Sequence, residues 1–281
     1  MIDTPSSSPA PGHRYASRFA TLAERGEGMF VPFLMLGDPT PRLCARLLDA
    51  LVEGGADAIE VGIPFSDPTA DGPTIQAAAS RALSQGVTPP ICLALLQDFR
   101  SRHPNVPVGI LTYANLVMHR PIDAFYRRAA EAGVDSVLVA DVPVIEAGPF
   151  SASARAHGIA PILIAPPNLS RHSLRRLPTL CDGYTYCVTR SGVTGVDAQL
   201  ELDHHELFQA LCQGGAPPPL LGFGISRPDH VREALASGAA GAISGSAVVR
   251  LAAKGTDAPQ DAITAVRQFV HEMKAATRRA G

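Results

Sequence analysis

Three segments of this chain end a helix at glycine and begin a buried strand one or two residues later. They are Glu53-Gly54-Gly55-Ala56-Asp57-Ala58-Ile59, Glu131-Ala132-Gly133-Val134-Asp135-Ser136-Val137 and Ala236-Ser237-Gly238-Ala239-Ala240-Gly241-Ala242, and His157-Gly158-Ile159-Ala160 is a weaker copy. Glycine accepts at little cost the left-handed backbone that closes a helix. A joint that recurs in this way belongs to a chain assembled from helix-then-strand units. Every doubly wound α/β sheet contains such joints, so the number of strands decides between architectures.

Apolar runs place strands at 30–36, 58–62, 108–111, 136–139, 159–164, 184–188, 220–221 and 241–243. Apolar residues at helical spacing fall at 43–52, 89–102, 123–132, 147–157, 170–177, 204–212, 229–236 and 262–276, with Ser170 as an N-cap. Strands that alternate with helices form a parallel sheet. Eight such units predict an α/β fold, a single closed (β/α)8 TIM barrel, which typically needs about 250 residues; this chain has 281. An extra helix is expected at 14–25, with Tyr15, Phe19 and Leu22 on one face. That face suits a plug in the N-terminal mouth of the barrel, and it equally suits a helix packed outside. Residues 1–12 are rich in Ser and Pro, lack the basic-then-apolar order of a secretory signal, and read as a disordered tail before a single domain at 13–281.

Composition excludes several function classes. Lys plus Arg number 24 against 26 Asp plus Glu, for a net charge of −2, so there is no basic excess for nucleic acid or an anionic membrane. Aromatic residues are 5% and Trp is absent, which argues against a base-stacking surface. No apolar run is long enough for a membrane span. The five cysteines are scattered without a C-x-x-C pair, as expected for reduced thiols in the cytoplasm rather than a disulfide frame or zinc site.

Active sites of such barrels lie at the C-terminal ends of the strands. The second strand runs into IEVGIPFSDPTADGPTIQ (59–76), with Glu60 in the strand and Asp67 and Asp71 on the loop beyond. Carboxylates so placed serve acid–base chemistry if water is excluded. Otherwise Glu60 is an alternating strand residue and the aspartates cap turns. The loops after strands 7 and 8, Gly222-Phe223-Gly224-Ile225-Ser226 and Ser244-Gly245-Ser246, present backbone N–H groups and a helix N-terminus to an anion, or are simply tight turns. The loop after strand 6, Thr189-Arg190-Ser191-Gly192-Val193-Thr194-Gly195, has the composition of a lid and equally of an ordinary surface loop.

Taken together, GIPFSDPTADGPTIQ, TYANLV, SVLVADVPV, GYTYCVTRSGVTG, LLGFGIS and GAAGAISGSAVV resemble the tryptophan synthase α subunit family, in order from about residue 30 to 249. The resemblance implies retro-aldol cleavage of indole-3-glycerol phosphate to indole and glyceraldehyde 3-phosphate, with no metal or organic cofactor in this chain. It further implies a β subunit, carrying pyridoxal phosphate, that receives indole through a tunnel in an α–β–β–α complex. Carried over position by position, the catalytic carboxylates fall on Glu60 and Asp71, and Tyr186 lies near the glutamate. The indole pocket falls on Phe33 and Leu111. The phosphate site falls on Phe223, Gly224, Gly245 and Ser246, with Gly195 in the same region and Thr194 as the lid residue that closes onto the aspartate. The partner-facing surface falls on Pro64, Asp67, Asn115, Asp141 and Pro143. The chain departs from the family pattern at Thr69, Met35 and Leu221, none of which is a catalytic position. A stand-alone lyase releasing free indole would share every catalytic residue.

Overall fold

The computed structural model describes residues 13–188 and 204–278. Its eight strands are β1 (Met29–Met35), β2 (Ile59–Gly62), β3 (Val108–Thr112), β4 (Ser136–Val139), β5 (Ala160–Ala165), β6 (Thr185–Val188), β7 (Pro219–Gly222) and β8 (Gly241–Ser244). All neighbours pair in parallel, and β8 returns to β1 through Met29↔Gly241, Phe30↔Ala242, Val31↔Ile243 and Pro32↔Ser244, closing the barrel in chain order. Strands covered on both faces need near-continuous apolar sequence, which Met29–Met35 (MFVPFLM) supplies with every residue buried.

The outer ring comprises α2 (Pro41–Glu53), α3 (Pro73–Ser84), α4 (Pro89–Arg102), α5 (Ala114–Met118), α6 (Ile122–Glu131), α7 (Gly148–Ala156), α8 (Arg171–Leu180), α9 (His205–Gln213), α10 (Pro228–Ala236), α11 (Ser246–Ala253) and α12 (Pro259–Ala275). The α1 helix (His13–Glu24) precedes them. The α3, α5 and α11 helices add to the sequence reading. The α3 segment is rich in alanine, the best helix former, but carries only a weak apolar stripe, so periodicity missed it. Ser170 does cap α8, its side chain accepting from the Ser173 N–H. Among the described residues no helix is long and apolar enough to cross a membrane.

The joints behave as their sequence requires. Gly55, Gly133, Gly158 and Gly238 take φ of +97°, +77°, +70° and +102°. Two joints also share an aspartate that clips the neighbouring strand. Asp57 accepts from the Phe30 N–H at 2.8 Å, and Asp135 accepts from the Val108 N–H at 2.8 Å. Each buried carboxylate has cationic company, which burial of charge demands. Lys274 stands 2.9 Å from Asp57. Arg14 and Arg100 stand 2.8 and 2.7 Å from Asp135, locking α1 and α4 to the start of β4.

The α1 helix does plug the barrel. Tyr15 and Leu22 share one buried cluster with Met29, Val31, Leu138, Ile162 and Tyr184 from the barrel interior. The Tyr15 ring meets Tyr184 edge-on at 5.4 Å, and its hydroxyl is 2.9 Å from Ser136 Oγ. A Cβ on Gly109 would come within 2.5 Å of that Ser136 oxygen and 3.0 Å of the Tyr15 oxygen, so the plug requires glycine on β3.

Candidate active site

Glu60 sits in the middle of β2, in register with Phe33 on β1 and Gly109 on β3. Ala58, two residues earlier, belongs to the barrel-interior cluster, and strand alternation turns Glu60 the same way. The side chain is only 2% exposed. It accepts a hydrogen bond of 3.1 Å from the Tyr184 hydroxyl. Burial pushes its carboxyl up to about 8, the Asp71 charge adds to the rise, and the Tyr184 bond opposes it. A carboxylic acid in this state holds its proton at neutral pH yet exchanges it readily.

Asp71 lies on the loop between β2 and α3, immediately before the Gly72 N-cap. Burial pushes its carboxyl up to about 6 against a hydrogen bond from Tyr113. The Tyr113 hydroxyl also accepts from the Ala70 N–H at 3.2 Å, and its ring tilts against Phe65 at 5.4 Å. The end of β3 therefore holds the aspartate loop in place. Tyr184 is the site residue that sequence reasoning missed, and Tyr113, in the TYANLV segment after strand 3, carried no assigned role. Tyr184 was legible as the residue two before Tyr186, hence on the same strand face, and Tyr113 as the first polar residue past β3. Tyr186, expected beside the glutamate, feels both carboxylates, but the hydrogen bond to Glu60 belongs to Tyr184.

The surround is apolar. Phe33, Met35 and Tyr186 are buried and Leu111 half-buried. A Cβ on Gly62 would come within 2.8 Å of the Phe33 ring and 3.0 Å of the Met35 sulfur, so both side chains close over the end of β2. Met35 thus packs beside Phe33 at the end of β2. Leu221 is buried in the same hydrophobic cluster as Phe33 and Met35, whereas its neighbour Leu220 belongs to the barrel-interior cluster. Tyr186 meets Phe223 edge-on at 6.1 Å, and Gly222 leaves no room for a Cβ, which would lie 2.5 Å from the tyrosine oxygen.

Phe223 and Gly224 take successive left-handed φ values of +68° and +77°, a conformation that costs a bulky residue about 1–3 kcal/mol. Gly245 faces Phe33, with ordinary contact distances of 3.8 Å and more for an added Cβ. Ser246 opens α11, where free N–H groups and the helix dipole favour an anion. The structure thus gathers Glu60, Asp71, Phe33, Leu111, Tyr186, Phe223, Gly224, Gly245 and Ser246 at one mouth of the barrel. Thr194, Gly195 and the rest of the expected lid lie outside the described residues.

On the same end, Asp67, Asn115, Asp141 and Pro143 are exposed, whereas Pro64 is buried. Asp141 accepts from the Ala114 N–H at 2.8 Å, tying the loop after β4 to α5. Met118 and Ile145, large apolar residues that sequence reasoning passed over, are 58% and 52% exposed there. A cleft of about 360 Å³ opens beside Ile145, lined by Asp141, Pro143, Ile145, Ile164 and Leu169 among others. Thr69 is exposed on the aspartate loop, its N–H bonded to the Asp67 carbonyl at 2.9 Å. Among the described residues no cluster of His, Cys, Asp or Glu is arranged to hold a metal ion.

Comparison with known proteins identifies the family. The sequence model of the tryptophan synthase alpha chain family matches residues 19–278. The chain is 55% identical to the tryptophan synthase alpha chain of Serratia proteamaculans (strain 568) over 265 residues, covering 94% of this chain and 99% of the relative. It is 52% identical to that of Yersinia enterocolitica over the same length and coverage. Among solved structures, tryptophan synthase subunit alpha from Legionella pneumophila str. Paris superposes with a TM-score of 0.83 at 30% identity, covering 94% of this chain and 98% of that one. A structure of Mycobacterium tuberculosis tryptophan synthase matches with a TM-score of 0.84 at 28% identity, covering 97% of this chain and all of that one. With a family match over nearly its whole length and a barrel that superposes on solved members, this chain belongs to the tryptophan synthase alpha chain family, the lyases that cleave indole-3-glycerol phosphate in tryptophan biosynthesis.

Proposed function

We propose that this chain cleaves indole-3-glycerol phosphate with Glu60 and Asp71 as its two working carboxylates. The observation that carries this reading is the pair itself: two carboxyls at one apolar mouth, whose surroundings push one to about 8 and the other to about 6. Groups driven apart in this way divide acid and base roles. Cleavage must move one proton from the glycerol hydroxyl to indole C3. Glu60 begins neutral and gives its proton to C3. The ring becomes an indolenine cation, whose N–H is held by ionised Asp71. As the carbon–carbon bond breaks, its electron pair returns to the ring, and the Glu60 carboxylate takes the hydroxyl proton as the aldehyde forms. The enzyme is thereby restored, and glyceraldehyde 3-phosphate leaves with its phosphate released from the loops at Phe223, Gly224, Gly245 and Ser246. Phe33, Leu111 and Tyr186 enclose the indole.

The pH dependence tests this division. The value of kcat/KM is expected to rise through about pH 6 as Asp71 ionises and to fall through about pH 8 as Glu60 loses its proton, the two limbs being properties of the coupled pair. A profile flat between about pH 5 and 9 would refute the assignment.

The partner in this reading is a tryptophan synthase β subunit, which carries the pyridoxal phosphate and receives indole in an α–β–β–α complex. Its docking surface is the exposed rim of Asp67, Asn115, Asp141 and Pro143, shaped by Pro64 beneath. Exposed Met118 and Ile145 on that rim support the placement, since apolar side chains anchor interfaces. Met118→Glu is expected to weaken stimulation by the β subunit at least tenfold in affinity with little change in the isolated rate; equal stimulation would remove this surface from the interface. The setting is cytoplasmic and the working unit is the domain at 13–281. Removing residues 1–12 is expected to leave folding and rate unchanged.

A further inference from the structure

The turn after β7 is held from two sides by buried side chains. His230, on the first turn of α10 and 6% exposed, places Nδ1 2.8 Å from the Gly224 carbonyl and 3.3 Å from the Ser226 N–H. One tautomer donates to the carbonyl and the other accepts from the N–H; the shorter contact favours the donor. Ser244, the fully buried last residue of β8, donates from Oγ to the Ile225 carbonyl at 2.6 Å. Two consecutive residues beyond Phe223, Gly224 and Ile225, are thus bonded by side chains from two other elements. Ser244 immediately precedes Gly245 and Ser246, so its bond ties the loop after β7 to the loop after β8.

We propose that His230 and Ser244 are positioning residues that fix the left-handed turn at Phe223 and Gly224, so that its backbone N–H groups already point at the substrate phosphate before it binds. The inference rests on the placement of phosphate at Phe223, Gly224, Gly245 and Ser246. A site built from backbone amides has no charged side chain that swings in to compensate. Its affinity depends on where the amides point and on how little ordering remains when the anion arrives. A left-handed phenylalanine persists only where its surroundings over-determine it, and these two side chains supply that constraint without reaching the reacting carbons.

The test compares His230→Leu, His230→Asn and Ser244→Ala, with Ser246→Ala as the reference for phosphate contact. The readouts are KM for indole-3-glycerol phosphate, inhibition by inorganic phosphate, and KM for indole in the reverse condensation, which reports the pocket without the phosphate. His230→Leu and Ser244→Ala are each expected to raise KM for indole-3-glycerol phosphate and the inhibition constant of inorganic phosphate about tenfold, the scale of one buried hydrogen bond, and to leave kcat and the indole KM unchanged. Asparagine, whose amide reaches the position of Nδ1, is expected to restore most of the loss. Unchanged phosphate inhibition in both variants, or a parallel fall in kcat and indole binding, overturns the proposal. If Ser246→Ala alone weakens phosphate, the clamp is wrong and the phosphate placement stands. If no variant does, the placement itself fails. Should His230→Leu not fold, His230→Asn and Ser244→Ala decide by the same readouts.

Discussion

Glu60→Gln is expected to lower kcat for indole release about 10²- to 10⁴-fold, the range for loss of a general acid–base group, with KM nearly unchanged. Glutamine keeps the shape and the contact with Tyr184 but cannot pass a proton to C3 and recover another. The same variant is expected to be more stable than the parent at neutral and alkaline pH. The folded-state value of Glu60, about 8, lies above its ordinary 4.5. The stability associated with its protonation is therefore full below about pH 4.5 and is lost progressively as pH rises through about 8. Glutamine, neutral throughout, avoids that loss. Thermal unfolding should show a Tm gap that opens between about pH 5 and 8 and closes at lower pH. A variant that keeps parental kcat, or a Tm gap independent of pH, would show that Glu60 is not the proton shuttle.

Asp71→Asn is expected to cost about 10²- to 10³-fold in kcat, the scale for losing a preorganised electrostatic contact to developing charge. The asparagine oxygen still accepts from the indole N–H, so substrate binding should survive. What disappears is the negative charge opposite the indolenine cation. The acid limb of the pH profile near 6 should vanish with it, while the limb near 8 should remain and move slightly down, because the Asp71 charge is one cause of the raised Glu60 value. An acid limb that survives in Asp71→Asn would belong to another group.

Much of the fold and of the site is legible in the sequence alone. The glycine joints at Gly55, Gly133, Gly158 and Gly238 announce repeated αβ units because the left-handed φ at a helix end selects for glycine locally. The clipping role of Asp57 and Asp135 is written in the same joints but unreadable, since each partner N–H, Phe30 or Val108, lies 27 residues away in sequence. Glu60 stands out by its place in an apolar strand. Whether it faces solvent or the barrel interior depends on closure of the sheet, which no local pattern encodes. The plug formed by α1 is undecidable for a like reason: Tyr15 reaches Ser136, 121 residues on. Tyr184 is hidden beside Tyr186, because alternation puts both inward and only packing decides which reaches the glutamate. The α3 helix escapes because alanine makes a helix by propensity and leaves little apolar periodicity to read.

The most direct test of the central claim is indole release from indole-3-glycerol phosphate by the purified chain, alone and with a tryptophan synthase β subunit, cognate where available. The expected result is slow release that yields indole and glyceraldehyde 3-phosphate in equal amounts and accelerates strongly when the β subunit is added. Rapid release indifferent to the β subunit would contradict that claim and mark the chain as a stand-alone lyase, with Thr69 on the aspartate loop the first residue to examine.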